Sequence, residues 1–195
     1  MGCRSALYFY TEKYGVVMCK VEFDKREQLK LHALGLFAAH GYDAVAVQDI
    51  VDAAGVAKPA LHHSFGSKPR LLQALFEEEL AALQQSLEQA LQFTGDLVLT
   101  LRQEVQVHFD FAEGHRELYR FLLSAQHAPP ESDSHLAAAD MQHSFAGLLS
   151  GLFAQALPHM AGRSQRYAST LLVVINTTII QVLQDDLVYS VVQLY

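Results

Sequence analysis

The chain has 195 residues, which fits one large domain or two small ones, and 14 Lys and Arg against 21 Asp and Glu give a formal net charge of −7. Hydrophobic residues make up 51% of the chain, enough for a buried core and too many for a disordered protein. Glycine and proline number only 11 and 5, which argues against a turn-rich β-sandwich and favours helices.

The charge is divided unevenly along the chain. Residues 1–70 contain nine Lys and Arg and seven Asp and Glu, a net charge of +2. Residues 71–195 contain five Lys and Arg and 14 Asp and Glu, a net charge of −9. This asymmetry indicates two functions in one chain, with the first part suited to a polyanion.

The first 23 residues show no clear periodicity and are predicted to form an N-terminal arm. Both cysteines, Cys3 and Cys19, lie in this arm, and two thiols provide neither a disulfide framework nor a four-ligand zinc site. The arm also lacks an apolar run long enough for a secretion signal. These observations favour a reducing, cytoplasmic setting. The most apolar stretch, 171–183, is interrupted by four polar residues, so we expect no membrane span.

Helical periodicity begins at Asp24, which is predicted to cap the first helix in a capping box with Glu27. Gly41 is the natural residue to end that helix. Two short helices are predicted over 47–54 and 58–64.

The rest of the chain is predicted to be helical, with Gly and Pro at the joints. A long helix capped by Ser67 carries leucines on one face to residue 91. The later predicted helices span 97–112, 116–126, a stretch from 132 or 134 to about 158, 164–184 and 185–195. The fold class is therefore all-α with about nine helices.

Residues 41–72, GYDAVAVQDIVDAAGVAKPALHHSFGSKPRLL, have the pattern of a helix-turn-helix. Two helices too short to be stable alone are joined by a tight turn at Gly55. Ile50 and Leu61 are spaced to pack the pair together, which leaves the polar start of the second helix exposed. A rigid helix with exposed polar residues at its start is the shape that enters a DNA major groove.

The stretch from Arg26 to Leu72 resembles the DNA-binding domain of the tetracycline-repressor (TetR) family, whose pattern is approximately LFAEKGYxxTSVxDIAxxAGVSKGTLYHHFxSKExLL. Ala46 and Ala57 replace the family's usual Ser or Thr helix caps, and His62 replaces its usual Tyr. The matching positions are Leu36 to Tyr42 in part, Val47, Asp49, Ile50, Ala53 to Val56, Lys58, Leu61, Phe65, Ser67, Lys68, Leu71 and Leu72.

The resemblance implies a ligand-responsive transcriptional regulator, a repressor and not an enzyme, that binds a near-palindromic double-stranded DNA operator as a homodimer. Residues 24–70 are then the DNA-binding domain, and residues 71–195 bind ligand and dimerise. No cofactor and no metal are implied. The predicted DNA contacts are Gln48, Lys58, Pro59, Ala60, His62, His63 and Lys68.

Polar residues interrupt apolar stripes in the C-terminal half. His108, His143 and Asn176, together with Phe111, are predicted to line a cavity for a small, largely apolar effector. The alternative is that the polar residues are core residues that hydrogen-bond to the backbone.

The predicted helix 164–184 is apolar on more than one face, which indicates burial against a second copy of the chain. In the resembled family, the last two helices of each subunit form the dimer interface. The interface residues predicted here are Leu172, Ile175, Ile179 and Val182.

Two other functions are compatible with the sequence. One is a small-molecule-binding protein whose DNA-binding domain has lost its affinity for DNA through the changes at Ala46, Ala57 and His62. The other is a metal sensor that uses His108 and His143. An enzyme is disfavoured because the chain has no phosphate loop and no GxGxxG, HExxH or GxSxG motif.

Overall fold

The computed structural model describes residues 11–12, 15–16 and 24–185. Within the predicted N-terminal arm it describes two antiparallel two-residue strands, β1 (Thr11–Glu12) and β2 (Gly15–Val16). Beyond Asp185, the predicted last helix lies outside the described residues.

Helices account for most of the remaining described chain, so the predicted all-α class is confirmed. A short 3₁₀ segment, Pro158–Arg163, joins the last two. The eight described α-helices are α1 (Lys25–His40), α2 (Val47–Ala53), α3 (Lys58–Phe65), α4 (Lys68–Ala90), α5 (Leu97–Gly114), α6 (Arg116–Ala125), α7 (Asp133–Ala156) and α8 (Ser164–Asp185).

The capping box predicted at the start of α1 is wrong. Asp24 precedes the helix but makes no side-chain cap hydrogen bond. Glu27 instead lies 3.0 Å from the Nζ of Lys30, whose residue is only 5% exposed. A buried ammonium needs an anionic partner more than an exposed backbone N–H does, because water can satisfy the latter.

An ion cluster joins α1 to α4. Both terminal guanidinium nitrogens of Arg26 donate to the carboxylate of Glu78, and Lys30 Nζ donates to Glu78 Oε2 at 2.7 Å. The hydrogen bond from Arg26, opposed by burial and assisted by the hydrogen bond from Lys30, lowers the pKa of Glu78 to about 2.

We therefore expect Glu78→Gln to make the free energy of unfolding less dependent on pH in the acid range. A carboxyl whose pKa is lowered stabilises the native state above its unfolded pKa of about 4.5, and this stabilisation is lost as the pH falls towards 2. At neutral pH the cost of the substitution should be about 1 kcal/mol or less, because the Glu78 side chain is 38% exposed and its charge is screened.

Urea unfolding of wild type and Glu78→Gln at a series of pH values between 7 and 2 measures this contribution. Glu77→Gln is the matched control, since Glu77 is an exposed neighbour on the same helix. Parallel stability curves for wild type and Glu78→Gln across the acid range would contradict the assignment.

Helix α1 packs directly on α6, and the turn after α1 forms a hydrogen bond with the start of α7. The ring of Phe121 in α6 lies 5.6 Å from that of Phe37 in α1 and 5.4 Å from that of Phe76 in α4. The hydroxyl of Tyr42, between α1 and α2, donates to Asp133 Oδ2 at 3.1 Å. Burial, together with this hydrogen bond, raises the pKa of Tyr42. Asp133 begins α7, so the first part of the chain contacts the second through a polar link as well as a packed core.

The four residues predicted for the dimer interface are covered within the single chain. Leu172, Ile175, Ile179 and Val182 are at most 6% exposed within the single chain, because α8 packs against α5, α6 and α7. Their three-to-four spacing marks the inner face of α8. The exposed apolar residues of α8 are Val173 and Val174, at 64% and 56% exposure.

The segment Pro158–Leu183 is long and apolar enough to cross a membrane by length and composition alone. The core helix of a soluble protein passes the same test, and α8 buries one face against three other helices of the chain. This segment is therefore weak evidence for a membrane span.

Candidate nucleic-acid interface and ligand groove

Helices α2 and α3 form a helix-turn-helix with a tightly bonded turn. Gly55 has φ 65°, a left-handed conformation that glycine adopts at little cost. The next N–H, that of Val56, donates to the carbonyl of Val51 at 3.0 Å. Ile50 in α2 and Leu61 in α3 are both fully buried, and the two helices pack on each other. The turn and this packing fix the orientation of α3, as the sequence pattern predicts.

The missing Ser or Thr cap at Ala46 is partly compensated. The backbone N–H of Ala46 donates to Asp49 Oδ2 at 2.7 Å, which is the reciprocal half of a capping box. An acidic side chain also suits the positive end of the helix dipole. The departure of Ala46 from the family pattern therefore leaves α2 intact.

Most of the predicted DNA contacts lie on one exposed surface. Lys58, Pro59 and His63 are exposed on α3, and Ala60 is half-buried. The exposed imidazole of His62 has its Nδ1 2.9 Å from the carbonyl of Gly66. Since a carbonyl can only accept, Nδ1 carries the hydrogen, and Nε2 is left for another partner. We call Lys58, Pro59, His62 and His63 the α3 surface.

Gln48 and Lys68 lie outside the α3 surface, and each donates a hydrogen bond within the chain. The exposed amide of Gln48 donates to Asp52 Oδ1 at 2.8 Å. Lys68 Nζ donates to the carbonyl of Tyr42 at 2.7 Å and lies 3.9 Å from the centroid of its ring. Burial lowers the pKa of Lys68. Lys68 thus positions the turn at Tyr42, and Arg70 is the exposed cation at this end of α4.

A chain of buried polar side chains crosses the C-terminal half. His108 Nε2 lies 3.2 Å from Oε1 of the fully buried Glu104, and His108 Nδ1 lies 2.9 Å from the hydroxyl of Tyr119. That hydroxyl donates to Asn176 Oδ1 at 3.3 Å, and Asn176 Nδ2 donates to Gln142 Oε1 at 3.3 Å. Since the Tyr119 hydrogen is directed to Asn176, His108 Nδ1 donates to Tyr119. Burial, with a smaller contribution from Glu104, raises the pKa of Tyr119.

Removing the hydroxyl at the middle of this chain should destabilise the protein. Tyr119→Phe removes the partner of His108 Nδ1 and of Asn176 Oδ1. An unsatisfied buried polar group costs about 1–3 kcal/mol. Urea denaturation at neutral pH measures the change. Tyr167→Phe is the control, because the half-buried Tyr167 makes a ring contact with Phe153. Equal losses for the two variants would show that the hydroxyl contributes nothing specific.

The polar chain ends at a groove of about 440 Å³ between α6, α7 and α8. Three histidines line it: His127, His135 and His143. Its other polar lining residues are Gln126, Gln142, Gln165, Ser169, Asn176 and Thr177, and its apolar lining residues are Leu123, Ala139, Ala146, Leu172, Val173 and Ile180. Among these residues none carries a carboxylate, ammonium or guanidinium group.

The predicted ligand residues are only partly brought together. His143 and Asn176 line the groove, and His108 reaches it through Tyr119 and Asn176. Phe111 stacks on His115 with ring centroids 4.0 Å apart and does not line the groove. Sequence reasoning missed Gln126 and His135, which lie at or near helix ends where apolar periodicity gives no signal. In the part of the chain that the structure describes, no cluster of three or more His, Cys, Asp or Glu is placed to hold a metal ion.

Comparison with known proteins supports the interpretation of the first helices. Residues 32–75 match the family model described as bacterial regulatory proteins, tetR family. A stretch of 99 residues is 36% identical to the HTH-type transcriptional activator FasR of Mycolicibacterium smegmatis. This stretch is 51% of the chain and spans only 45% of the length of FasR.

Two solved structures extend the similarity to most of the chain. The TetR family regulator PfmR of Thermus thermophilus is 26% identical, with a TM-score of 0.59, over 78% of this chain and 84% of PfmR. The regulator FadR of Bacillus subtilis, solved in complex with stearoyl-CoA, is 19% identical, with a TM-score of 0.69, over 86% and 92% of the two chains. At 19% identity, the likeness to FadR concerns the fold.

Proposed function

Because the chain belongs to the TetR family of bacterial regulatory proteins, we propose that it is a cytoplasmic transcriptional regulator that binds an operator as a homodimer and releases it when an effector binds. It acts as a repressor by occupying the operator. The observation that carries the proposal is an intact helix-turn-helix whose α3 surface is exposed, in the same chain as a groove lined by polar and apolar residues. Its relatives are regulators and not enzymes, which supports a binding function.

In this proposal α3 enters the major groove and the cations beside it contact phosphates. Pro59, His62 and His63 are placed to reach base edges, while Lys58 and Arg70 supply charge. The net charge of the chain, −7, does not oppose this, because the acidic residues are concentrated after residue 70.

The Lys58 assignment predicts a specific salt dependence. Lys58→Ala should weaken binding to all duplexes alike and reduce the slope of log affinity against log salt by about one, because one fewer counterion is released. Fluorescence anisotropy at several salt concentrations measures the slope. Arg163→Ala, which removes an exposed cation far along the chain, should leave it unchanged. An unaltered slope for Lys58→Ala would remove this residue from the interface.

A homodimer through the outer face of α8 is the second part of the proposal. The apolar residues of the inner face pack within the chain, whereas Val174 remains 56% exposed outside the groove. Two subunits related by a two-fold axis would present two copies of α3 to the two halves of a near-palindromic site.

The groove between α6, α7 and α8 is proposed as the effector site. Its volume of about 440 Å³ lies within the range of small-molecule pockets, and apolar side chains share its lining with a few polar groups. The similarly folded FadR was solved with stearoyl-CoA, whose acyl chain supports an effector with a long apolar part.

Two direct contacts would couple effector binding to the DNA-binding domain. Leu123 and His135 line the groove, two residues from Phe121 and Asp133 respectively. Phe121 packs on Phe37, and Asp133 accepts a hydrogen bond from Tyr42. A ligand that shifts α6 or the start of α7 would therefore move α1 and the turn before α2, in addition to any movement of α4.

Selection of bound duplexes from a random DNA pool tests the function. We expect enrichment of one near-palindromic sequence, and that sequence then serves as the operator in every later titration. Recovery of an unenriched pool, with small-molecule binding intact, would favour the alternative of a binding protein with a degenerate DNA head.

A further inference from the structure

The chemistry of the groove lining identifies a class of ligand. We propose that the groove between α6, α7 and α8 binds an amphipathic carboxylic acid, with the carboxyl group on Gln126 and the histidines and the apolar part along Leu123 and Leu172. This inference rests on the proposed function only in taking the groove as the effector site.

Two buried polar atoms in the lining lack a partner. Gln126 Nε2 and His135 Nδ1 are buried without a hydrogen-bond partner among the described residues. Buried polar groups are rarely left unpaired, because no hydrogen bond then offsets the free energy of desolvation. An amide nitrogen can only donate, so the group that satisfies Gln126 must carry an acceptor.

The hydrogen positions on the other two histidines are fixed by the backbone. His127 Nδ1 lies 3.0 Å from the carbonyl of Leu123, and His143 Nδ1 lies 2.7 Å from the carbonyl of Ala139. A carbonyl accepts only, so both Nδ1 atoms carry hydrogen and Nε2 is the nitrogen left for a ligand. That nitrogen accepts a hydrogen from an acid, or donates to a carboxylate once it has taken up the proton.

A carboxyl group can accept a hydrogen bond from Gln126 and also share a proton with an imidazole. One oxygen accepts from Gln126 Nε2 and the other shares its proton with an imidazole, a pairing that is stronger than one between neutral groups. An ammonium group has no acceptor for Gln126, and the lining offers no carboxylate to balance its charge. An alcohol can form both hydrogen bonds but without the strengthening that charge gives.

The experiment compares three probes of one chain length, decanoate, decan-1-ol and decylammonium, by isothermal titration calorimetry on the full chain. Decanoate labelled with ¹³C at its carboxyl carbon reports contacts of the head group by NMR. We expect one decanoate per chain, and decylammonium weaker by about tenfold or more, the equivalent of about 1.4 kcal/mol. Equal affinities for decanoate and decylammonium would overturn the proposal.

Variants locate the head group. Gln126→Leu and His135→Leu should each weaken decanoate binding by about tenfold and leave decan-1-ol less affected, since hydrogen bonds to charged groups are the stronger ones. His159→Leu, which alters an exposed histidine outside the groove, is the matched control. Thermal unfolding verifies that each variant is folded. Wild-type affinity in both groove variants would also overturn the proposal.

Titration of the selected operator separates this inference from the proposed function. If decanoate binds through Gln126 and His135 but leaves operator affinity unchanged, the ligand class stands and the regulatory function fails. If the operator is bound and decanoate is not, the ligand class alone is wrong.

Discussion

Val174→Asp should convert a dimer into a monomer and weaken operator binding by about a hundredfold or more. Val174 is 56% exposed on the outer face of α8, where the proposed partner would cover it, and an unpaired carboxylate buried in an interface is strongly unfavourable. Each monomer would then contact only one half-site, and the second half-site would no longer bind at high effective concentration. Light scattering gives the mass, and anisotropy with the selected duplex gives the affinity.

Val98→Asp provides the matched control for this substitution. Val98 is an equally small apolar residue, 69% exposed, on α5 rather than α8. We expect it to leave both mass and operator affinity unaltered. A monomeric wild-type protein at micromolar concentration, or a dimeric Val174→Asp, would show that the outer face of α8 is not the interface.

Breaking the contact between Tyr42 and Asp133 should uncouple the effector from the DNA. An effector commonly changes the affinity for a second ligand by about 5–150-fold, and the reverse effect must be equal. In Asp133→Ala the start of α7 no longer holds the turn at Tyr42, so the effector-induced loss of operator affinity should fall by about tenfold. Groove affinity, measured without DNA, should be unchanged, since Asp133 does not line the groove.

Two further variants make the uncoupling interpretable. Tyr42→Phe removes the same hydrogen bond from the other side and should give the same loss of coupling, although its ring still packs on Phe37 with centroids 5.1 Å apart. Asp140→Ala changes an exposed aspartate further along α7 and should respond to effector as wild type does. Full effector response in both Asp133→Ala and Tyr42→Phe would show that this hydrogen bond does not carry the coupling.

Local physics explains why the helices and the turn could be predicted from sequence. Gly55, the buried Ile50 and Leu61, and the cap at Ser67 each act within a few residues of their position. Ser67 does accept a hydrogen bond from the N–H of Arg70 at 3.4 Å, as its place before a helix predicts. Periodicity also identified the inner face of α8 correctly as apolar.

Periodicity could not say what covers an apolar face. The predicted interface residues of α8, such as Ile175, are covered by other helices of the same chain. A helix that is apolar on two sides can pack one side inside its own chain and leave the other side exposed. The basic motif likewise does not indicate that Lys68 Nζ donates to the carbonyl of Tyr42 at 2.7 Å.

Contacts between distant residues gave no sequence signal at all. Tyr42 and Asp133 are 91 positions apart, and Tyr119 and Asn176 are 57 apart. Only the four-residue spacing of Glu104 and His108 could have suggested a pair, since residues at that spacing share a helix face.

The stoichiometry of the complex on the selected operator tests the central claim most directly. Sedimentation of the full chain with the selected duplex should give a complex of two chains per near-palindromic site, and a duplex with one half-site scrambled should bind far more weakly. One chain per duplex with no dependence on the second half-site, or equal binding to a fully scrambled duplex, would contradict the account.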